Sequence, residues 1–483
     1  VYRMASTDVV TNVKVGEVVD LNSAAIRRVR VGATELAAPI SVRVPIRNTA
    51  DAPEGFNEKL AVNVEAGDAR VTFTNPGLVA AGEVKDLKID YTPNRLGLDQ
   101  IKYSLGFRSD GTGTSGLASV QVGAPVAMEL VNQFYSGQGV LAKAGSNAVW
   151  SDWNTWTAEG GRPGLDGVRS KGLDTARLTG VVESGPTKVT MDVNPTLQSV
   201  SFSSGAVTLD SEGAQRLELS SATTKNPSLI AESGNHVVKV PVTLDGEVRL
   251  DINEGASLTM EGVLKGSGGL NKVGSGLAVL LADNTYTGKT LVNAGTLQIG
   301  NGGNMGSLGL GDVFVAVGAE LAFRRSGTVV VENLIEGDGL VSIQGDVQLK
   351  RRNSNTGGHR IEPKGLLTIY QEGLKGPVEI NGGTLQIANS VKNITVNSSV
   401  KLTGASNKVE VGPQTVATFT GTFAGQKGLV KIGDGAVELM GTVAYSGDTE
   451  VQEGRLTFAD NGGVGSGSLV LSGGATVGTD RVV

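Results

Sequence analysis

The residues that decide the fold run from Gly266 to Ile299, GSGGLNKVGSGLAVLLADNTYTGKTLVNAGTLQI, and again from Gly425 to Phe458, GQKGLVKIGDGAVELMGTVAYSGDTEVQEGRLTF. The two stretches align without a gap. Leu270, Lys272, Gly274, Gly276, Leu280, Tyr286, Gly288, Thr290, Val292, Gly295 and Leu297 match Leu429, Lys431, Gly433, Gly435, Leu439, Tyr445, Gly447, Thr449, Val451, Gly454 and Leu456. A half-copy, Val378 to Ile387 (VEINGGTLQI), echoes Leu291 to Ile299. Short apolar strands broken by glycine cannot bury a face alone. Stacked coil on coil, they can pair like with like about 4.8 Å apart and close a shared interior. The expected fold is therefore all-β: a parallel β-solenoid, with glycines turning the chain between faces. Coils of about 20 residues over some 350 residues predict roughly 17 turns and a length near 80 Å. Tyr286 and Tyr445 are expected as packed rings with their hydroxyls at the surface.

Working outward, the composition agrees. Of 483 residues, 70 are glycine, 4% are aromatic and 14 are proline, which favours short strands and many turns over a core of large rings. The absence of cysteine excludes disulfides, thiolate catalysis and cysteine-ligated zinc. A net charge of -6, with no basic stripe among aromatics, argues against nucleic acid. Lys350-Arg351-Arg352 reads as a solvated turn. No run approaches 18 apolar residues, so no membrane span is expected. Val1 opens without the basic and apolar regions of a signal peptide, as a matured product would.

Three segments are expected. Residues 1–125 alternate with period two at Ile40–Ile46, Leu60–Val64, Arg70–Phe73, Val84–Tyr91 and Leu117–Val122, with turn signals between. That spacing predicts an antiparallel sandwich, and Val42 to Val122 resembles the Ig-like modules of bacterial surface proteins. Residues 126–265 form a capping segment holding all three tryptophans, Trp150, Trp153 and Trp156. They read as a plug over the solenoid, or alternatively as a sugar-stacking platform. Residues 266–483 are the repeat-bearing solenoid.

The Gly-x-Gly-x-Leu-x-Lys-x-Gly-x-Gly, Tyr-x-Gly-x-Thr-x-Val and Gly-x-Leu pattern resembles the passenger-associated repeat of autotransporters and related bacterial surface proteins. The resemblance implies export to an extracellular or cell-surface location. Thr479 to Val483 lacks the alternating segments of an outer-membrane barrel, so either a translocator has been cleaved away or export takes another route.

Chemistry is sparse. His236 and His359 lack the partners of a catalytic histidine. The runs Gly266–Gly269 and Gly462–Gly467 lack the Gly-Lys-Ser/Thr ending of a phosphate loop, and Gly302-Gly303-Asn304 lacks the aspartate of a calcium β-roll. No catalytic residue, cofactor or metal ligand is expected. Three functional readings remain. The first is an elongated, non-enzymatic scaffold that pairs with itself head to tail, Val1 to Val10 engaging the C-terminal coils of the next copy. The second is an adhesin binding surface glycans. The third is a polysaccharide-degrading enzyme using Glu332, Glu336 and Asp338, which requires carboxylates converging from neighbouring coils.

Overall fold

The structure is a computed structural model. It describes residues 27–31, 40–48, 59–66, 68–92, 97–110, 120–121 and 125–134, then 138–142, 148–152, 155–157 and 162–164, and from 174 to 480 all but 181–185, 222–225, 372–373 and 460–462. It contains two compact units. One comprises 1–142 and 152–175, the other 143–151 and 176–483.

In the first unit two sheets share one core. One sheet orders the strands Ile40–Arg47, Val84–Tyr91 and Val71–Thr74. The other orders Arg27–Val31, Val126–Phe134, Gly97–Asp110 and Lys59–Ala66, with Val120–Gln121 paired to Gly97–Asp110. All pairings are antiparallel except that of Arg27–Val31 with Val126–Phe134. Alternate residues from both sheets, among them Val44, Ile46, Leu87, Ile89, Ile101 and Leu105, fill the space between. Phe73 and Tyr103 meet across it at 5.1 Å. Four of the expected strands are present. The longest strand, Gly97–Asp110, was not expected, because its Gly97, Gly106 and charged residues mask the alternation of Ile101, Tyr103, Leu105 and Phe107. Of the expected Leu117–Val122 strand, only Val120–Gln121 lies within the described residues.

The second unit is a parallel β-solenoid with three faces. The first face is one continuous sheet of fourteen strands, from Ala148–Val149 through Leu277–Leu280 and Thr296–Ile299 to Val443–Tyr445. The second face carries a four-stranded sheet ending at Leu264–Lys265 and, further along, an eight-stranded one from Val329–Val331 to Leu469–Leu471. The third face carries a sheet that ends at Ile335–Gly337 and a five-stranded one from Asn393–Val396 to Thr476–Asp480. The chain visits the faces in the order first, second, third. Every pairing is in register with the next coil, so Leu270 lies beside Thr290 and Leu277 beside Thr296.

The solenoid has about fourteen turns rather than seventeen. The turns run from about residue 175, so they cover fewer residues than the 350 expected, and coil length varies, from 18 residues between Leu366 and Thr384 to 29 between Ser199 and Ser228. Fourteen turns at about 4.8 Å each rise roughly 65 Å.

Inward positions are mostly apolar and enclosed, as in the ladder Leu297, Leu321, Val341; the ladder Leu250, Lys272, Val292, Val315 includes a lysine. Where a face lacks a strand, buried asparagines supply the missing backbone partners. Asn284 accepts from Leu264 N at 2.8 Å and donates to Ser307 O at 2.7 Å. Asn353 accepts from Ile335 N, and Asn355 donates to Gly339 O. No α-helix occurs among the described residues, and none is long and apolar enough to cross a membrane.

Candidate functional site: two locks built from one repeat

Each full repeat builds the same device. Lys272 points inward from Leu270–Val273 and is fully enclosed. A buried ammonium needs acceptors, and it finds three. Nζ donates to the carbonyls of Val273 (3.0 Å) and Gly274 (2.7 Å) in its own corner and of Ala294 (3.0 Å) in the next coil. Lys431 repeats this on Ile432 (3.1 Å), Gly433 and Glu453 (3.0 Å). Gly274 and Gly433 make the corner possible. Their φ values of 73° and 75° lie in the left-handed region and turn carbonyls toward the ammonium. Burial pulls both lysines down to about 8, against the pull of Asp251 on Lys272 and of Glu453, Asp434 and Glu410 on Lys431.

Gly295 stacks on the corner of Gly274 and Gly276, and Gly454 on that of Gly433 and Gly435; a Cβ on either would lie 2.6 Å or less from carbonyls of the coil before. Gly288 and Gly447 pass as closely over Gly268 and Gly428, where a Cβ would sit 2.5 Å and 2.2 Å from backbone. Leu270 and Leu429 fill the core below.

The second part of the device corrects the expectation for the tyrosines. Tyr286 and Tyr445 are enclosed entirely, hydroxyls included. The phenol of Tyr286 bonds Thr290 Oγ1 at 2.7 Å, and that of Tyr445 bonds Thr449 Oγ1 at 2.6 Å. Thr449 in turn donates to Val464 O at 3.0 Å. The four-residue spacing from tyrosine to threonine brings the two hydroxyls together within the interior, so the phenol needs no water. Burial raises the pKa of both phenols.

The copies do not share an orientation. In the first, Leu270–Val273 and Thr290–Val292 lie on the third face, and Leu277–Leu280 and Thr296–Ile299 on the first. In the second copy, Leu429–Ile432 and Thr449–Val451 lie on the second face, and Ala436–Leu439 and Arg455–Ala459 on the third. The half-copy takes the remaining corner, Val378–Ile380 on the first face and Thr384–Ile387 on the second. One sequence pattern thus occupies all three corners.

The other singled-out residues fall elsewhere. Trp150 is fully enclosed and Trp156 is 3% exposed, so neither offers a ring face to solvent. Trp153 lies outside the described residues, as do Val1 to Val10. His236 stacks on Phe202 at 4.9 Å, accepts from Val207 N and meets Ser233 O at 2.7 Å. His359 is buried between Val341 and Val378 with neither ring nitrogen bonded among the described residues, and burial lowers its pKa to about 4. Glu336 and Asp338 each accept from a hydroxyl of the following coil, Ser354 and Thr356. Lys350 sits over the Tyr370 ring at 3.3 Å, and Arg351 pairs with Asp312 at 3.0 Å. No cluster of metal-ligating side chains occurs among the described residues.

The segments that form the two locks are the ones matched by the passenger-associated-transport-repeat family, residues 270–299 and 429–458. The chain is 28% identical over 266 residues to the Adhesin BmaC autotransporter of Brucella suis biovar 1 (strain 1330). That match takes in 46% of this chain and 8% of the relative's length. By geometry and by sequence, then, this chain is a parallel β-solenoid that carries two passenger-associated-transport repeats and is similar, over part of its length, to an autotransporter adhesin.

Proposed function

We propose that the chain is a secreted, non-enzymatic scaffold of a bacterial cell surface, whose solenoid holds its outer faces away from the cell. The observation that carries this reading is the pair of internal locks, which spend the repeat's polar side chains on joining coil to coil rather than on a site open to solvent. Similarity to an autotransporter adhesin supports the location. Antibodies raised against the purified chain should label intact cells of the source bacterium. Label appearing only after permeabilisation would refute the reading.

Self-association is part of the proposal. Leu469–Leu471 pairs with Thr449–Val451 in the C-terminal coils, the part of the chain proposed to meet another copy. The proposed mode of contact is strand addition between copies at these coils. Sedimentation should show concentration-dependent association that Leu471→Lys weakens; identical sedimentation of parent and variant would sink it. The partner segment Val1 to Val10 belongs to the same proposal. The first unit supports a companion reading as an Ig-like module, since one sheet orders the second, fifth and fourth strands and the other places the third beside the sixth.

The similarity to an adhesin favours a second reading, in which the outer surface binds glycans. A glycan array probed with the full chain tests it, and an array without hits would remove it.

A further inference from the structure

At the corner where the first face turns into the second, four successive coils line a pocket of about 810 Å³ that is open to solvent on one side, within the roughly 300–1,000 Å³ of small-ligand sites. Gln298 and Asn301 come from one coil, Arg324 and Arg325 from the next, Gln344 and Asp346 from the third and Lys364 from the fourth. Three cations face one carboxylate here, in a chain whose net charge is -6. No aromatic side chain among the described residues lines the wall, so these residues give a neutral pyranose no ring to stack on.

The rim is held in place. Gly302 N donates to Arg324 O at 2.7 Å and Ser326 N to Gly303 O at 2.9 Å. Arg325, its side chain 8% exposed, donates to the carbonyls of Asn304 and Gly306 and lies 4.0 Å from Asp283. Arg325 is therefore a buttress. Arg324 is freer: its side chain is 26% exposed, donates to Phe323 O at 3.4 Å and reaches Glu320 at 3.9 Å. Lys364 has no ion pair among the described residues. It also holds φ at 70°, one of two non-glycine residues described with positive φ, whereas the turn of the next coil at the same corner, Asn381-Gly382-Gly383, uses glycine at φ 82°. A cation thus stands at the cavity in a backbone conformation that a lysine adopts only at a cost.

We propose that this corner cavity binds a sugar acid, its carboxylate held by Arg324 and Lys364 and its hydroxyls exchanging hydrogen bonds with the amides of Gln298, Asn301 and Gln344. The proposal gives the glycan-binding reading a site and a ligand class, and rests on that reading. Isothermal titration of the full chain with trigalacturonate, sialyllactose, maltotriose and inorganic phosphate tests it, with the Arg324→Gln, Lys364→Gly double variant alongside. Lys364→Gly relaxes the turn, so the fold is retained, and circular dichroism checks this. The expected result is saturable binding of at least one acid, weakened at least tenfold in the variant, with no binding of maltotriose or phosphate. Binding of neither acid, equal binding by the variant, or maltotriose or phosphate binding as tightly as the acids overturns it. Array hits that survive the double variant sink this site and leave the glycan-binding reading standing. Acid binding by a chain that adheres to no surface leaves the site and removes the adhesin role.

Discussion

Replacing Lys272 by methionine keeps the volume of the stem and removes the ammonium. Three carbonyls, of Val273, Gly274 and Ala294, then lose their shared donor. Each orphaned buried acceptor costs about 1–3 kcal/mol, or roughly 3–9 kcal/mol together. The substitution also relieves the burial of a charge. A pKa drawn from 10.5 to about 8 corresponds to about 3 kcal/mol of that relief. Taking the middle of the orphaning cost, the net loss is about 3 kcal/mol. Coils of a solenoid contact mainly their neighbours, so the loss is local. Native-state hydrogen exchange reads it directly. Amides of Asn293 and Thr296, which bond the coil that carries Lys272, should exchange about a hundredfold faster. Amides of residues 429–458 should be unchanged. Lys431→Met should give the mirror image. Unchanged or slower exchange around residue 272 would refute the lock, and would place Lys272 among buried ions that apolar residues replace without loss.

Tyr286→Phe should cost about 1 kcal/mol by denaturant midpoint, and Tyr445→Phe less, because Thr449 keeps its bond to Val464; equal effects would argue against the paired-hydroxyl account. Gly288→Ala and Gly447→Ala should each cost about 3 kcal/mol or more, since the new Cβ meets immovable backbone, while Gly303→Ala, whose nearest contact is 3.6 Å away, should be neutral in the same thermal melts. His359 binds its proton less readily folded than unfolded, so its contribution is complete above about pH 6.5 and is lost as pH falls through about 4. That amounts to about 3 kcal/mol, and His359→Phe should flatten this acid limb of the stability profile; a profile unchanged by the substitution would contradict it.

Much of this was legible in the chain. The gap-free match from Leu270 to Leu297 with Leu429 to Leu456 contains the inward side chains, the corner glycines and the Tyr–Thr spacing, because those positions touch only the repeat's own next coil. What lies beyond one coil was not legible. The turn count was too high because the solenoid covers fewer residues than the 350 assumed and because insertions such as that between Phe202 and Ser228 lengthen individual coils without disturbing the apolar pattern of their strands. The tyrosine hydroxyls were misplaced because their partner is four residues away in the same segment, a distance that a solvent-facing reading overlooks. The buried lysines carry no mark in composition, since lysine ordinarily reads as surface. The corner cavity gathers residues from four coils, and only the stacking register assembles them.

The placement of the repeat on all three corners bears on how such a chain can change. What recurs between copies faces inward, Leu270 with Leu429 and Lys272 with Lys431, while the outward neighbours differ, Asn271 against Val430 and Leu291 against Glu450. The motif behaves as a standard coupling that fits any side of a triangular column and leaves the cladding unspecified. Duplicating it therefore lengthens the column without printing a stripe of identical side chains down one flank. A surface built this way can be rewritten for a new partner while the joints beneath it stay the same.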